Sequence, residues 1–264
     1  MAKIISVHSF RGGTGKSNTT ANVTALLAAK GLRVAVVDTD IQSPGIHVLF
    51  GMHEGSTTHS LNDYLWGLCE IRDAALDVTE TLKQYQPDLS GRVFVIPSSI
   101  KAGEIAKILR EGYDVGLMNE GFHRLIEDLN LDVLMIDTHP GLNEETLLSI
   151  AISDSLAIIL RPDQQDYQGT SVTVEIARKL EVPNLLLVVN KVPDVFDSGD
   201  VERRVARSYD CTVGAVLPHS DEMMVLSSAG IFALNFPDHP MTEKLARLAE
   251  RLVADPPSGP SHGG

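Results

Sequence analysis

A chain of 264 residues has room for one large α/β domain or two smaller ones, and a hydrophobic content of 43% is enough to fill a substantial core. The formal net charge of −13 excludes a protein coated in basic surface, so contact with nucleic acid would need a local basic patch. No run of about 18 apolar residues occurs, which argues against a membrane-spanning helix, and the two cysteines, Cys69 and Cys211, are too far apart in sequence for a CxxC-based iron–sulfur or zinc site. They read as two buried, reduced thiols, and with no apolar secretion segment ahead of the first strand a cytoplasmic protein is expected.

In chain order, the first apolar run predicts a strand over Lys3–His8. It leads into Phe10-Arg11-Gly12-Gly13-Thr14-Gly15-Lys16-Ser17, and a helix is predicted over Ser17–Lys30, stopped by Gly31. Further strands are predicted at Arg33–Asp38, Arg92–Pro97, Asp132–Asp137, Ser155–Leu160, Asn184–Asn190 and Thr212–Leu217, with helices at Glu120–Leu129 and Gly169–Leu180. Most of these strands are continuous apolar runs rather than alternating ones, as expected for strands buried on both faces of a parallel sheet. The alternation predicts an α/β fold: a single doubly wound, mostly parallel sheet with helices on both faces, in one domain spanning 1–254. Met241–Ala254 reads as an amphipathic helix with Met241, Leu245, Leu248, Ala249 and Leu252 on one side. The Pro/Gly/Ser/His segment 255–264 reads as a disordered tail.

The turn after the first strand has the composition of a phosphate cradle. Glycines let the backbone adopt positive φ and turn its N–H groups towards an anion, and the following helix adds its positive dipole end. Lys16 would reach the β- and γ-phosphates, and Ser17 would place its hydroxyl on Mg²⁺. The ordinary loop has Gly six positions before that Lys; here the position is Phe10, while Gly12-Gly13 crowd the turn and a cation, Arg11, stands at its entrance.

This arrangement resembles the deviant Walker A loop of the MinD/ParA family of dimeric P-loop ATPases, with Arg11 where the family has Lys. The resemblance implies ATP and Mg²⁺ as cofactors, with Gly12, Gly13, Thr14, Gly15, Lys16, Ser17 and Asn18 around the phosphates. Asp38-Thr39-Asp40 is similar to the family's Asp-x-Asp. It implies that Asp40 lies near the attacking water and that Asp38 supports the metal site or its loop; a loop-capping role for either stays open. Leu134-Met135-Ile136-Asp137 resembles a Walker B strand, which implies that Asp137 holds Mg²⁺ through water beside Ser17. Pro140-Gly141 falls where the family has switch II. His139, where the family has Pro or a small residue, is expected to face solvent, with anion contact or pH sensing as the alternative. The resemblance further implies that Asn190 recognises adenine and that Pro218 packs beside the base. Arg11 is expected to act in trans like an arginine finger, alongside Lys16 and Asp40 as the catalytic set. The alternative is that Arg11 binds phosphate within its own subunit and leaves a slow ATPase.

The implied activity is Mg²⁺-dependent ATP hydrolysis, slow and partner-stimulated, by a protein that dimerises around ATP and positions a cargo such as DNA, a plasmid, an organelle-like compartment or division machinery. Nucleoid contact would be non-specific and would use Arg203, Arg204 and Arg207, which can face outward from one helix; a solvated helix face is the alternative. Membrane attachment is disfavoured, because Lys244, Arg247 and Arg251 in the final helix are offset by Glu243 and Glu250. The competing reading is a slow or non-hydrolysing nucleotide-binding regulator of a flagellar, pilus or division component. A metabolic enzyme on the same fold is opposed by the missing cluster cysteines and by the lack of an evident second substrate domain.

Overall fold

Strands β1 (Lys3–His8), β2 (Arg33–Asp38), β3 (Leu76–Asp77), β4 (Arg92–Ile96), β5 (Val133–Asp137), β6 (Ser155–Leu160), β7 (Asn184–Val192) and β8 (Thr212–Pro218) form one sheet in the order β3-β4-β2-β5-β1-β6-β7-β8. The computed structural model describes residues 2–53 and 55–255; most of the expected tail lies outside the described residues. Every pairing is parallel except β3 with β4. The predicted doubly wound α/β sheet is therefore the observed one. The edge strand β3 escapes periodicity because it is two residues long.

Alternation along each strand sends neighbouring side chains to opposite faces. Ile5, Val7, Val34, Val36, Met135 and Val188 join one apolar layer with α1 (Lys16–Ala29) and the helix Pro240–Val253. On the other face, Ile4, Val37, Leu134 and Ile136 pack with the helix Val115–Leu129. Further along that face, Ile158, Leu160, Leu187 and Val189 pack with the helices Gln164–Lys179 and Ser198–Tyr209.

Two helices begin five residues earlier than their predicted starts. The first starts at Val115, capped by Asp114 accepting from the Gly116 N–H, and the second starts at Gln164, capped by Asp163 accepting from the Asp166 N–H. Gly169 lies inside the second helix for a packing reason: a Cβ there would stand 2.0 Å from Cδ1 of Phe10. Phe10, the residue that replaces the ordinary loop glycine, thus has a glycine of its own to lie against.

The final helix does what its apolar stripe predicts. Met241, Leu245, Leu248 and Leu252 are buried, at about 1.5–3 kcal/mol each, so lifting this helix from the core would cost several kcal/mol. Its cations are used locally. Lys244 Nζ donates to the Val216 carbonyl (2.9 Å), Arg251 Nη1 donates to the Val213 and Gly214 carbonyls (2.8 and 3.0 Å), and Arg247 pairs with Glu243. Among the described residues no helix is long and apolar enough to cross a membrane.

Candidate nucleotide site

The sheet's winding reverses about β1, whose neighbours are β5 on one side and β6 on the other. In such a sheet the crevice lies beyond the carboxyl end of the central strand. That end runs into Ser9–Gly15 and then α1. Gly13 (φ +76°) and Gly15 (φ +96°) take the left-handed backbone that glycine supplies without strain, and Gly15 also caps α1. A side chain at Gly15 is excluded for a second reason, since its Cβ would sit 2.3 Å from Nδ2 of Asn190.

The loop is braced from two directions. From β7, Asn190 Nδ2 donates to the Thr14 carbonyl (2.8 Å) and Lys191 Nζ donates to the Gly13 carbonyl (2.9 Å). From the segment after β5, the Gly141 N–H donates to the Ser9 carbonyl (3.2 Å). Inside the loop, Ser9 Oγ donates to the Arg11 carbonyl (2.7 Å). A cavity of about 210 Å³ opens above it, lined by Ser9, the loop residues Gly12 to Asn18, Asp40 and Pro140.

Asp137 lies buried beneath Lys16 and Ser17 of that lining. Lys16 Nζ lies 3.0 Å from its Oδ1, Ser17 Oγ donates to its Oδ2 (2.6 Å), and Thr20 Oγ1 donates to its Oδ1 (3.0 Å). Lys16 and Asp137 are 7% and 1% exposed, so this is a buried pair held by additional donors, as such a pair requires. Thr20 belongs to this site although no motif marks it. Its signal is the helical spacing of four from Lys16, which puts both side chains over the same strand end.

Asp38 is directly opposite Asp137 in the β2–β5 pair and is fully buried. Its Oδ1 accepts from the Asp40 N–H (3.0 Å) and its Oδ2 from the Gly45 and Ile46 N–H groups (3.0 and 3.4 Å). Of the two roles expected for Asp38, support of the metal site or of its loop, these backbone contacts fit the loop role. Burial, and secondarily the charge of Asp137, push its pKa up to about 7. Ser17 and Asp137 do fit a hard cation: a hydroxyl that lines the cavity and a carboxylate just beneath it meet at hydrogen-bond distance. Among the described residues no group of three or more His, Cys, Asp and Glu is arranged to hold a metal ion, so phosphate and water oxygens would complete such a site.

His139 does not face solvent as expected. Its Nδ1 lies 2.7 Å from Asp40 Oδ1, with side chains 22% and 12% exposed. Nearby, His8 Nδ1 donates to Thr138 Oγ1 (2.8 Å), which donates to the Val7 carbonyl (3.1 Å). Burial lowers the pKa of His8 to about 3, helped by the charge of Lys16.

Three residues expected to contact nucleotide, Arg11, Asn190 and Pro218, are not among those that line this cavity. Arg11 turns to the start of the helix Gln164–Lys179, donating to Gln165 Oε1 and lying 3.7 Å from Asp166 Oδ1 and 4.0 Å from Asp163 Oδ1. The Asn190 amide is engaged at both ends: Nδ2 holds Thr14 and Oδ1 accepts from the Lys191 N–H (2.9 Å). Pro218 stands opposite Val192 in the β7–β8 pair, two residues beyond Asn190.

A doubly wound sheet with a glycine loop at its switch point, a loop lysine and serine on one carboxylate, and a helix N-terminus facing the cavity defines a P-loop nucleotide-binding protein. The profile of a family described as an AAA domain matches residues 2–185. An uncharacterized ATP-binding protein of Methanocaldococcus jannaschii is 26% identical over 254 residues, covering 96% of this chain and 88% of that protein. An iron–sulfur cluster carrier protein of Pyrococcus furiosus is 26% identical over 265 residues, covering 94% and 85%. The septum site-determining protein MinD of Pyrococcus horikoshii, solved with Mg-ADP, superposes with a TM-score of 0.77 at 21% identity over 95% of each chain. The chain belongs to this AAA-domain family, and its fold is that of the MinD/ParA proteins.

Proposed function

We propose that this protein hydrolyses ATP slowly, dimerises around it, and uses the bound and released states to position a cargo. The observation that carries this reading is the convergence of Lys16, Ser17 and Thr20 on Asp137, with Asp40 on the rim of the same cavity. Gly12, Gly13, Thr14, Gly15 and Asn18 would present backbone and side-chain donors to the phosphates. Lys16 would exchange its carboxylate partner for the β- and γ-phosphates, and Asp40 would orient the attacking water. Ser17 and Asp137 would hold Mg²⁺, which supplies charge neutralisation on the transferred phosphoryl group.

Arg11 favours a slow, controlled turnover. Its guanidinium is engaged by Gln165, Asp163 and Asp166 of its own subunit, and a trans role requires release from them. Turnover measured against protein concentration for wild type, Arg11→Lys and Arg11→Ala tests this; indifference of both variants would sink the trans role. The same engagement favours the second reading, a nucleotide-binding regulator of a protein partner that turns over little.

For the surface held, Arg203, Arg204 and Arg207 point outward from the helix Ser198–Tyr209 while Val201, Val205 and Tyr209 are buried. Arg203 pairs with Asp200, which reduces the free charge available to phosphate. Salt-sensitive retention of the ATP-loaded protein on non-specific DNA tests nucleoid association; no retention at low salt rejects it. Membrane attachment is opposed by the buried stripe and carbonyl-bound cations of the final helix. Cluster carriage, the role named for several relatives, is opposed by the cysteine set: Cys69 and Cys211 form no CxxC pair, and burial raises both thiol pKa values. The expected setting is the cytoplasm, with an activating protein partner. The experiment for the whole reading is Mg²⁺-dependent phosphate release together with ATP-dependent sedimentation. A wild type that binds ATP but neither turns it over nor dimerises would leave the regulator reading in its place.

A further inference from the structure

His139 is the side chain at this site that phosphate binding, metal binding and water orientation leave unused. Its backbone is fixed on both sides. The preceding Thr138 is tied to Val7 through both its N–H (3.2 Å) and its hydroxyl (3.1 Å). The carbonyl of His139 accepts from Thr146 Oγ1 (3.3 Å), and Gly141 is tied to Ser9. The partner is fixed as well: the Thr39 N–H and hydroxyl both donate to the Asp137 carbonyl (3.0 and 3.1 Å), and the Asp40 N–H donates to Asp38. Two anchored loops therefore meet at one bond, His139 Nδ1 to Asp40 Oδ1 at 2.7 Å.

The bond has a direction. A carboxylate oxygen accepts, and Oδ1 already does so from the Ser43 N–H (3.2 Å), so His139 Nδ1 is the donor. Both hydrogen bonds to the Asp40 side chain among the described residues fall on Oδ1. The carboxylate cannot turn about its axis without losing them, and Oδ2 is left as the acceptor.

Building on the hydrolysis reading, we propose that His139 is a positioning residue: it holds the Asp40 carboxylate by Oδ1 so that Oδ2 can orient the attacking water. A ring that merely filled the space between the loops would affect loop order and nucleotide binding. A ring that aims Asp40 affects the rate at saturating ATP. Misaiming a reacting group by about 1 Å can cost on the order of 100-fold, so a loss of about 10- to 100-fold is expected when the donor is removed.

The test is the single-turnover hydrolysis rate at saturating Mg-ATP, alongside the affinity for a fluorescent ATP analogue, for wild type, His139→Ala, His139→Asn, Asp40→Ala and the double variant His139→Ala/Asp40→Ala. The expected result is a rate loss of about 10- to 100-fold for His139→Ala with affinity within about threefold of wild type. His139→Asn, whose amide nitrogen falls close to the ring Nδ1 position, should recover most of the rate. The double variant should be no slower than Asp40→Ala alone, because the two groups act as a unit. An unchanged rate in His139→Ala, a matching fall in affinity, failure of Asn to rescue, or additive losses in the double variant each overturn the positioning role. A wild type with no Lys16-dependent turnover overturns the hydrolysis reading, and this proposal with it; wild-type turnover that His139→Ala leaves intact overturns this proposal alone.

Discussion

Acid should weaken this fold through His8, and His8→Asn should remove that part of the loss. The ring is buried in β1, donates through Nδ1 to Thr138, and resists protonation until about pH 3, against 6.5 for a free histidine. The unfolded chain takes up a proton below about pH 6.5 that the folded chain refuses. The contribution of the neutral ring is therefore complete above the unfolded value and declines as pH falls. At pH 5 the gap is 6.5 − 5.0 = 1.5 units, and at about 1.4 kcal/mol per unit the cost is about 2 kcal/mol. Asp38 works in the opposite sense: its raised pKa favours the folded state at low pH and disfavours it as pH rises towards 7. The wild-type profile thus mixes two opposing slopes, and the difference between wild type and His8→Asn isolates the histidine. Urea unfolding followed by circular dichroism at pH 7, 6 and 5 should show the variant gaining about 2 kcal/mol relative to wild type from pH 7 to 5, whatever constant cost the lost ring volume adds. A difference between the two proteins that stays constant with pH refutes the reasoning.

Contacts in and around the loop set three other outcomes. Gly169→Ala should destabilise by about 1–3 kcal/mol because its Cβ would meet the Phe10 ring, and Phe10→Ala should relieve most of that cost; additive losses in a thermal double-mutant cycle would refute the contact. Thr20→Val should cost about 1–2 kcal/mol in urea unfolding by removing a buried donor from Asp137, and a neutral result would mean that Lys16 and Ser17 satisfy the carboxylate by themselves. Asn190→Ala separates a brace from a base reader: loss of the Thr14 contact should weaken fluorescent ATP and GTP analogues alike, whereas a loss confined to ATP would support the adenine-reading role.

The glycine loop, the runs that become β1, β2, β5 and β6, and the buried stripe of the last helix are local in the chain, so periodicity and turn chemistry expose them. The helix starts at Val115 and Gln164 are not legible because their caps, Asp114 and Asp163, look like ordinary loop acids until the chain turns. Lys191 gives no sign in the sequence of its brace to Gly13. Its left-handed backbone (φ +56°) falls within a register shift between β7 and β8.

By itself, the sequence determined that a glycine loop would follow a central parallel strand, and it singled out Lys16, Ser17 and Asp137 as the residues to meet there. Those properties depend on residue type at short spacing. Only the tertiary structure decided how two similar carboxylates divide their roles. Asp137 receives the loop lysine, while Asp38, one strand away, is consumed by backbone N–H groups. The fold also turned Arg11 towards the helix start at Gln165, 154 residues along the chain, and His139 onto Asp40, 99 residues away. Charge and hydrogen-bonding capacity are set by the residue, but the partner that uses them is set by which strand ends the fold brings together.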